Sequence, residues 1–336
     1  MSDSTETKMF VRPAMAIPGG VVELILDSDS GLVTDDLECK IGGLQARIVS
    51  ASRRGLHVLV PEGVEGTDKV EVGSPSSASW SECLLEIGRE FARDLHIVAN
   101  PAVDPVDGSI VTTRSGSRGQ VMPVTMFRIP TAGSMEEIDA DIMNPTGVAF
   151  DKNGTLHISA RADGEIWRFS REGKLSACST GLGVPTGIAF DASGVLHVGD
   201  RTGTIYRISD NGDSEVLAKL EPSVAAYHLA FDGSGNLYVS APSLSGYDSV
   251  QLVDKIGFVR TFFRGLGRPQ GMAFDPKGFL FIAASFKGSR GVVKISPEGE
   301  AELVLAGSDV VGVAFRGADE LVVATRERIF VFGGLR

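Results

Sequence analysis

From residue 144 onward the chain runs in short stretches where apolar and polar side chains alternate, each bounded by Gly, Asn, Asp or Ser. The segments Asn144-Pro-Thr-Gly-Val-Ala-Phe-Asp151, Val184-Pro-Thr-Gly-Ile-Ala-Phe-Asp191, Ala226-Tyr-His-Leu-Ala-Phe-Asp232, Pro269-Gln-Gly-Met-Ala-Phe-Asp275 and Val311-Gly-Val-Ala-Phe315 are versions of one phrase. Their phenylalanines, Phe150, Phe190, Phe231, Phe274 and Phe315, fall 40, 41, 43 and 41 residues apart, a period that belongs to four-stranded propeller blades. After each phrase comes a Gly-containing turn, then an alternating strand such as Thr155-Leu-His-Ile-Ser159 or Val195-Leu-His-Val-Gly199. A polar loop leads to a third strand, such as Glu165-Ile-Trp-Arg-Phe169, and a more polar outer strand completes the unit. Period-two patterning between turn residues predicts sheet, not helix.

A more divergent unit precedes these: Ala99-Asn-Pro-Ala-Val-Asp104, then Ser109-Ile-Val-Thr-Thr113 and Val124-Thr-Met-Phe-Arg-Ile129. That makes six inner strands, and the last unit ends after its third strand, Arg328-Ile-Phe-Val-Phe332. A strand from about residues 82–92 would complete the last blade and leave no open sheet edge. An amphipathic helix using Trp80, Leu84, Ile87 and Phe91 is the competing reading of that stretch. Residues 9–75 lack the phrase and predict a small Ig-like sandwich of short strands, including Val21-Val-Glu-Leu-Ile-Leu26 and Leu56-His-Val-Leu-Val60. The expected organisation is a disordered tail over 1–9, the sandwich over 10–73, a linker over 74–80 and a six-bladed β-propeller over 81–336.

Composition sharpens this. Glycine numbers 41 of 336 residues, well above the usual share of about 7%, and much of it falls at fixed places in the repeat. The net charge of −11 argues against nucleic-acid or anionic-membrane binding, because no basic excess exists to neutralise phosphates. No apolar run is long enough for a spanning helix, and the polar start Met1-Ser-Asp-Ser-Thr-Glu-Thr-Lys8 does not read as a secretory leader. Cys39, Cys83 and Cys178 lie far apart and read as small buried hydrophobes. A cytoplasmic location fits that usage.

Two resemblances follow from these residues. Ile17-Pro-Gly-Gly20, Ile41-Gly-Gly-Leu-Gln-Ala46 and Val60-Pro-Glu-Gly63 resemble an IPT/TIG immunoglobulin-like domain, although Asp27-Ser-Asp-Ser-Gly31 replaces its usual turn after the first strand. Residues 82–336 are similar to NHL-repeat and gluconolactonase (regucalcin)-type six-bladed propellers, with Gly199-Asp-Arg-Thr-Gly-Thr-Ile-Tyr-Arg-Ile208 particularly close to an NHL unit. The second resemblance implies a catalytic divalent metal held by Glu, Asn and Asp at the residue before the phrase glycine. Here that position holds Ala99, Thr146, Thr186, Tyr227, Gln270 and Val311. None is a carboxylate, and hard cations prefer carboxylate oxygens, so the expectation is that the family's metal site is absent and that no cofactor is bound.

These positions lie where the inner strands enter the central channel, and that mouth also receives the loops between second and third strands, which carry Arg114, Arg118, Arg161, Arg201, Lys287, Arg290 and Arg326. Guanidinium forks suit carboxylates and phosphates. The functional reading is an anion-binding funnel with Thr146, Thr186, Tyr227 and Gln270 below the arginine rim. It would take an anionic small molecule or an acidic protein segment. In the plainer reading the arginines pair with Asp163, Asp200 and Asp248 of the same loops. The alternative function is a metal-dependent hydrolase of sugar lactones or related esters, drawing on Asp163, Asp200 and Asp248 for a divalent cation (Ca, Mg or Zn) and on His228, Asp200 and Asp248 for catalysis. His228 is the histidine placed for acid–base work, whereas His157 and His197 occupy equivalent packing positions in second strands. Asp27-Ser-Asp-Ser-Gly31 with Asp35-Asp36 fails the calcium-loop template and reads as a solvated loop.

Overall fold

A computed structural model describes residues 9–26, 36–52, 55–76, 80–114, 122–132, 134–138 and 140–334. Its described residues are all β, and no helix is long and apolar enough to cross a membrane. The repeats fold as the patterning predicts. In the second, Pro145–Phe150, Leu156–Ala160, Glu165–Phe169 and Leu175–Ser179 form an antiparallel four-stranded sheet. The third adds Pro185–Phe190, Leu196–Asp200, Thr204–Ile208 and Ser214–Lys219 in the same order, and the first and fourth repeats do likewise. The first strands of successive repeats lie side by side around a common axis, and that of the sixth returns to that of the first. This is a propeller arrangement.

Two expectations need correcting. The structure has five free-standing four-stranded blades rather than six. The fifth repeat (Met272–Phe274, Leu280–Phe286, Ser289–Ile295 and Ala301–Ala306) instead forms one end of a twelve-stranded sheet that continues into the N-terminal strands. The joint is Met15–Ala16, which pairs in parallel with Leu305–Ala306 on one side and Glu86–Ile87 on the other. For the same reason residues 10–73 do not appear as a separate Ig-like sandwich. Ile17, next along, donates its N–H to the Ala306 carbonyl at 3.0 Å and buries its side chain against Phe281, Ala283 and Leu305.

Residues 80–92 are strand, so the helical reading is overturned. Trp80–Ile87 pairs with Gly66–Gly73 of the N-terminal strands, with Leu85 and Ile87 buried and Leu84 exposed, as period two demands. The chain then changes partners at Gly88, where a Cβ would lie 2.7 Å from the Phe332 ring. Only Arg89–Ala92 pairs with Ile329–Phe332 and completes the last blade. Arg328 clamps this junction, donating to both carboxylate oxygens of Glu62 at 2.7 and 3.0 Å and reaching Glu90.

Two recurrent devices explain the phrase. Its terminal aspartate closes the turn after the inner strand: Asp191 Oδ1 accepts the N–H groups of Ser193 and Val195, both at 2.9 Å, and Asp151, Asp232 and Asp275 do the same in their repeats. Its glycine admits the neighbouring inner strand. A Cβ on Gly187 would collide with the Tyr227 carbonyl, and one on Gly147 with the Thr186 carbonyl. Replacing Gly187 by Ala should therefore cost about 1–3 kcal/mol of unfolding free energy, the usual range for overpacking. Gly233→Ala, with open space around its Cβ position, should be near neutral, and urea titration of the two variants checks the contrast.

Candidate functional site

The loops entering the inner strands and those joining second to third strands open on one face. This face concentrates backbone strain. The six non-glycine residues with positive φ among those described are Asp94, His96, Asn144, Arg268, Lys287 and Asp309, and all lie on these loops. Asp, Asn and His enter the left-handed region more readily than other side chains, whereas Arg and Lys resist it, so Arg268 and Lys287 must be held there by their surroundings. For Arg268 (φ 46°) the holder is Asp248, whose Oδ2 accepts the Arg268 N–H at 3.1 Å. Arg326 donates its N–H to the Asp309 carbonyl at 3.2 Å.

Three of these strained residues belong to one quadrant of the face. Here the loops of the fifth and sixth repeats enclose a cavity of about 390 Å³ lined by Arg268, Gln270, Ser285, Arg290, Asp309 and Arg326, among others. Among the described residues, none of its three guanidinium groups is in an ion pair. Arg268 escapes sequence reasoning because it follows Gly265-Leu-Gly267, which reads as a plain inter-blade connection. The available signal was a basic residue directly beside the Pro269-Gln-Gly phrase.

Other predicted rim residues lie apart from this cavity. Arg161 and Arg201 approach each other on the second and third repeats; partial burial, and then the Arg201 charge, lower the Arg161 pKa. Arg201 donates Nε to the Ser223 carbonyl at 3.3 Å. Arg114 keeps a buried Nε with no hydrogen-bond partner. Arg118 lies outside the described residues.

Below the rim, the position before the phrase glycine is mostly structural. Thr146 and Thr186 are buried. The Thr186 hydroxyl accepts the Tyr227 N–H at 2.9 Å and donates to the Gly199 carbonyl at 3.4 Å, and that of Thr146 donates to the Asn144 carbonyl at 3.4 Å. Tyr227 is fully buried, donates its hydroxyl to the Glu221 carbonyl, and has its pKa pushed up to about 12 by burial and then by Asp200 and Glu221. These three side chains are committed to the fold, and Gln270 alone of the four opens on the arginine cavity. A belt of hydroxyls that the sequence reading missed stitches repeats together at this level. Thr113, Ser159 and Ser240, ending second strands, donate to the carbonyls of Thr146, Thr186 and Gln270 in the next repeat at 2.7, 3.2 and 2.8 Å.

The carboxylates of the hydrolase reading are also engaged. Asp200 Oδ1 accepts the N–H groups of Val184 and Thr202, at 2.8 and 3.1 Å, and its Oδ2 the Thr202 hydroxyl. Asp248 accepts the Ser243 N–H at 2.9 Å and the Ser243 hydroxyl as well as the Arg268 N–H. Among the described residues neither makes an ion pair with a rim arginine, and Asp163 is exposed. Among the described residues no three His, Cys, Asp or Glu side chains group as metal ligands would. His228 takes the phrase-glycine position at the start of the fourth repeat's first strand, opposite Ser240, where it is buried, and burial lowers its pKa to about 4. His157 and His197 stand edge-on to Phe190 and Phe231 of the following repeats, with centroids 4.9 Å apart, which is inter-blade packing.

No family model matches the chain, and no curated protein matches it significantly. Solved structures do resemble it. A Bacteroides thetaiotaomicron protein of unknown function aligns at a TM-score of 0.60 with 11% identity, over 99% of both chains. An auxiliary nutrient binding protein from the same organism aligns at 0.59 with 10% identity, also over 99% of both chains. A gluconolactonase from Xanthomonas campestris aligns at 0.57 with 15% identity, over 71% of this chain and 87% of its own. At such identities the likeness shows the propeller fold alone.

The buried histidines make stability depend on pH. His228, His157 and His197 all have pKa values lowered by burial, whereas in the unfolded chain they titrate near about 6.5. The unfolded state therefore binds more protons as pH falls below that value. Stability should be complete above about pH 6.5 and decline toward pH 4. Urea midpoints at pH 7, 6 and 5 should fall in sequence, and His228→Asn should flatten the slope; an unchanged slope would remove His228 from this account.

Proposed function

We propose that the chain is a binding propeller whose mouth takes an anionic small molecule or an acidic protein segment. The supporting observation is the cavity of about 390 Å³ carrying Arg268, Arg290 and Arg326 against the single carboxylate of Asp309. In a protein of net charge −11, this is a local reversal of sign. Such a cavity attracts anions and repels cations before contact, and its guanidinium forks match carboxylate or phosphate oxygens. An excess of positive groups favours ligands with two or more negative charges. Gln270 and Ser285 would add neutral hydrogen bonds that orient such a ligand.

In this proposal the fifth repeat serves as the ring's sixth blade despite its fusion to the larger sheet. Residues 10–73 keep their reading as an IPT/TIG-like module and act as a spacer or second docking surface. No cofactor is required. The hydrolase reading is weaker, because Asp200 and Asp248 each keep only about one acceptor site beyond their loop hydrogen bonds and, among the described residues, no group of three His, Cys, Asp or Glu side chains supplies the rest of a cation's ligands.

Binding of inorganic phosphate, citrate and a mono-carboxylate is measured by calorimetry and thermal shift. Citrate should bind above acetate, with affinity falling as salt screens the cavity. Arg290→Ala and Arg326→Ala should each weaken it about 10-fold or more, as the loss of a charge-assisted hydrogen bond does. Arg161→Ala with Arg201→Ala tests the wider funnel; a drop confined to Arg290 and Arg326 restricts the site to the cavity. Unchanged affinity in the Arg290/Arg326 double variant would sink the proposal, and a thermal shift specific to Ca²⁺, Mg²⁺ or Zn²⁺ would favour the hydrolase.

A further inference from the structure

A second recess lies beside the mouth, between the third and fourth repeats, and it has a different chemistry. It holds about 850 Å³ and is lined by Tyr247, Ser243, Ser245, Ser249, Gln251 and Thr261, together with Lys219, Glu221, Asp248 and Arg264. The two cations balance the two carboxylates, so no net charge selects for an ion. What remains is a wall of uncharged hydrogen-bonding groups beside the exposed ring of Tyr247, with the buried Tyr227 and the apolar side chains Leu220, Pro222, Val239, Ala241 and Val259 completing the lining.

The wall is ordered by its own contacts. Gln251 donates Nε2 to the Ser249 hydroxyl at 2.8 Å, and Thr261 donates to Gln251 Oε1 at 3.3 Å. The hydroxyls of Ser243 and Ser245 lie 2.8 Å apart, and Tyr247 donates its N–H to the Ser245 hydroxyl at 3.2 Å. The Ser243 hydroxyl is fully used, donating to Asp248 and accepting from Ser245, but those of Ser245, Ser249 and Thr261 keep an acceptor lone pair, and the Gln251 amide offers more donors and acceptors than the ladder uses. Tyr247 is seated over Gly265: a Cβ there would come within 3.5 Å of its ring and hydroxyl. It nevertheless remains 64% exposed. An aromatic side chain backed by protein and open to water offers an apolar face beside a polar tip.

We infer that this recess is a site for a neutral oligosaccharide, with Tyr247 as the stacking platform for a sugar's C–H face and the Gln251, Ser249 and Thr261 ladder hydrogen-bonding its hydroxyls. Sugars combine an apolar face with a dense fringe of uncharged donors and acceptors, which matches both halves of the lining. The volume falls in the range typical of small-molecule sites and leaves room for more than one ring. This inference is independent of the anion site, since none of the residues that would hold the sugar lines the arginine cavity.

The test is calorimetric titration of the full chain with neutral trisaccharides (maltotriose, cellotriose, xylotriose and mannotriose), repeated with Tyr247→Ala, Tyr247→Phe, Gln251→Ala and Arg290→Ala. Tyr247 is exposed, so its substitution should leave thermal unfolding unchanged. Saturable binding of at least one trisaccharide is expected. It should weaken about 10-fold or more in Tyr247→Ala and Gln251→Ala and persist in Tyr247→Phe and Arg290→Ala. No saturable heat with any of the four sugars overturns the inference. So does binding indifferent to Tyr247→Ala, or lost in Arg290→Ala, which would place the sugar at the mouth.

Discussion

Neighbouring first strands converge on the propeller axis until the backbone of one repeat touches that of the next. At Gly147 and Gly187 no side chain fits between a strand and the carbonyl of its neighbour. Close packing of this kind leaves little freedom, and it dictates what surrounds it. The residue before each glycine is turned into the hydroxyl belt of Thr113, Ser159 and Ser240. The first repeat meets the same constraint with Asn100, whose Oδ1 accepts the Val313 N–H at 2.8 Å and whose amide reaches the Met272 carbonyl at 3.3 Å. Asn100 thus joins three repeats, and Gly271 and Gly312 leave it space.

Because the axis is packed and hydrogen-bonded, chemistry is displaced outward to the loops of the face. There the division of labour between charges is plain. Asp200 and Asp248 spend their oxygens on backbone N–H groups and fix the shape of the loops, while the arginines of the cavity are left to face outward. Asp248 is the hinge of this arrangement. It fixes Ser243 on the rim of the neutral recess and Arg268 on the rim of the cationic one, so two recesses of different charge share a single anchor.

The blades were legible because the constraint that builds them repeats about every 41 residues. A glycine, a phenylalanine and an aspartate recur at fixed spacing in the second, third and fifth repeats, and the other repeats keep at least one of the three. What could not be read has physical reasons. Met15–Ala16 is too short to carry a period, yet it fuses the fifth repeat to the N-terminal strands. The alternation through 80–92 runs on without a break, and the exchange of partners at Gly88 depends on Phe332, some 240 residues away. At the site, residue type suggested ligand contact for Thr186 and Tyr227, but orientation decides: both side chains turn toward neighbouring backbone. Arg268 was overlooked because its placement depends on a carboxylate twenty positions earlier in a different loop.

The pairing of Arg89–Ala92 with Ile329–Phe332, and of Met15–Ala16 with Leu305–Ala306, bears on how the protein is made. A ribosome delivers the early partner of each pair long before the late one, at about 5–20 residues per second. For tens of seconds, by that rate, the growing chain holds unsatisfied strand edges at both its sheet ends. Those edges are the ones through which two nascent chains could cross-pair. Nothing in the finished ring records that interval, but synthesis must pass through it, and the charged Arg89 and Glu90 on the waiting strand are suited to keeping it in water until its partner arrives.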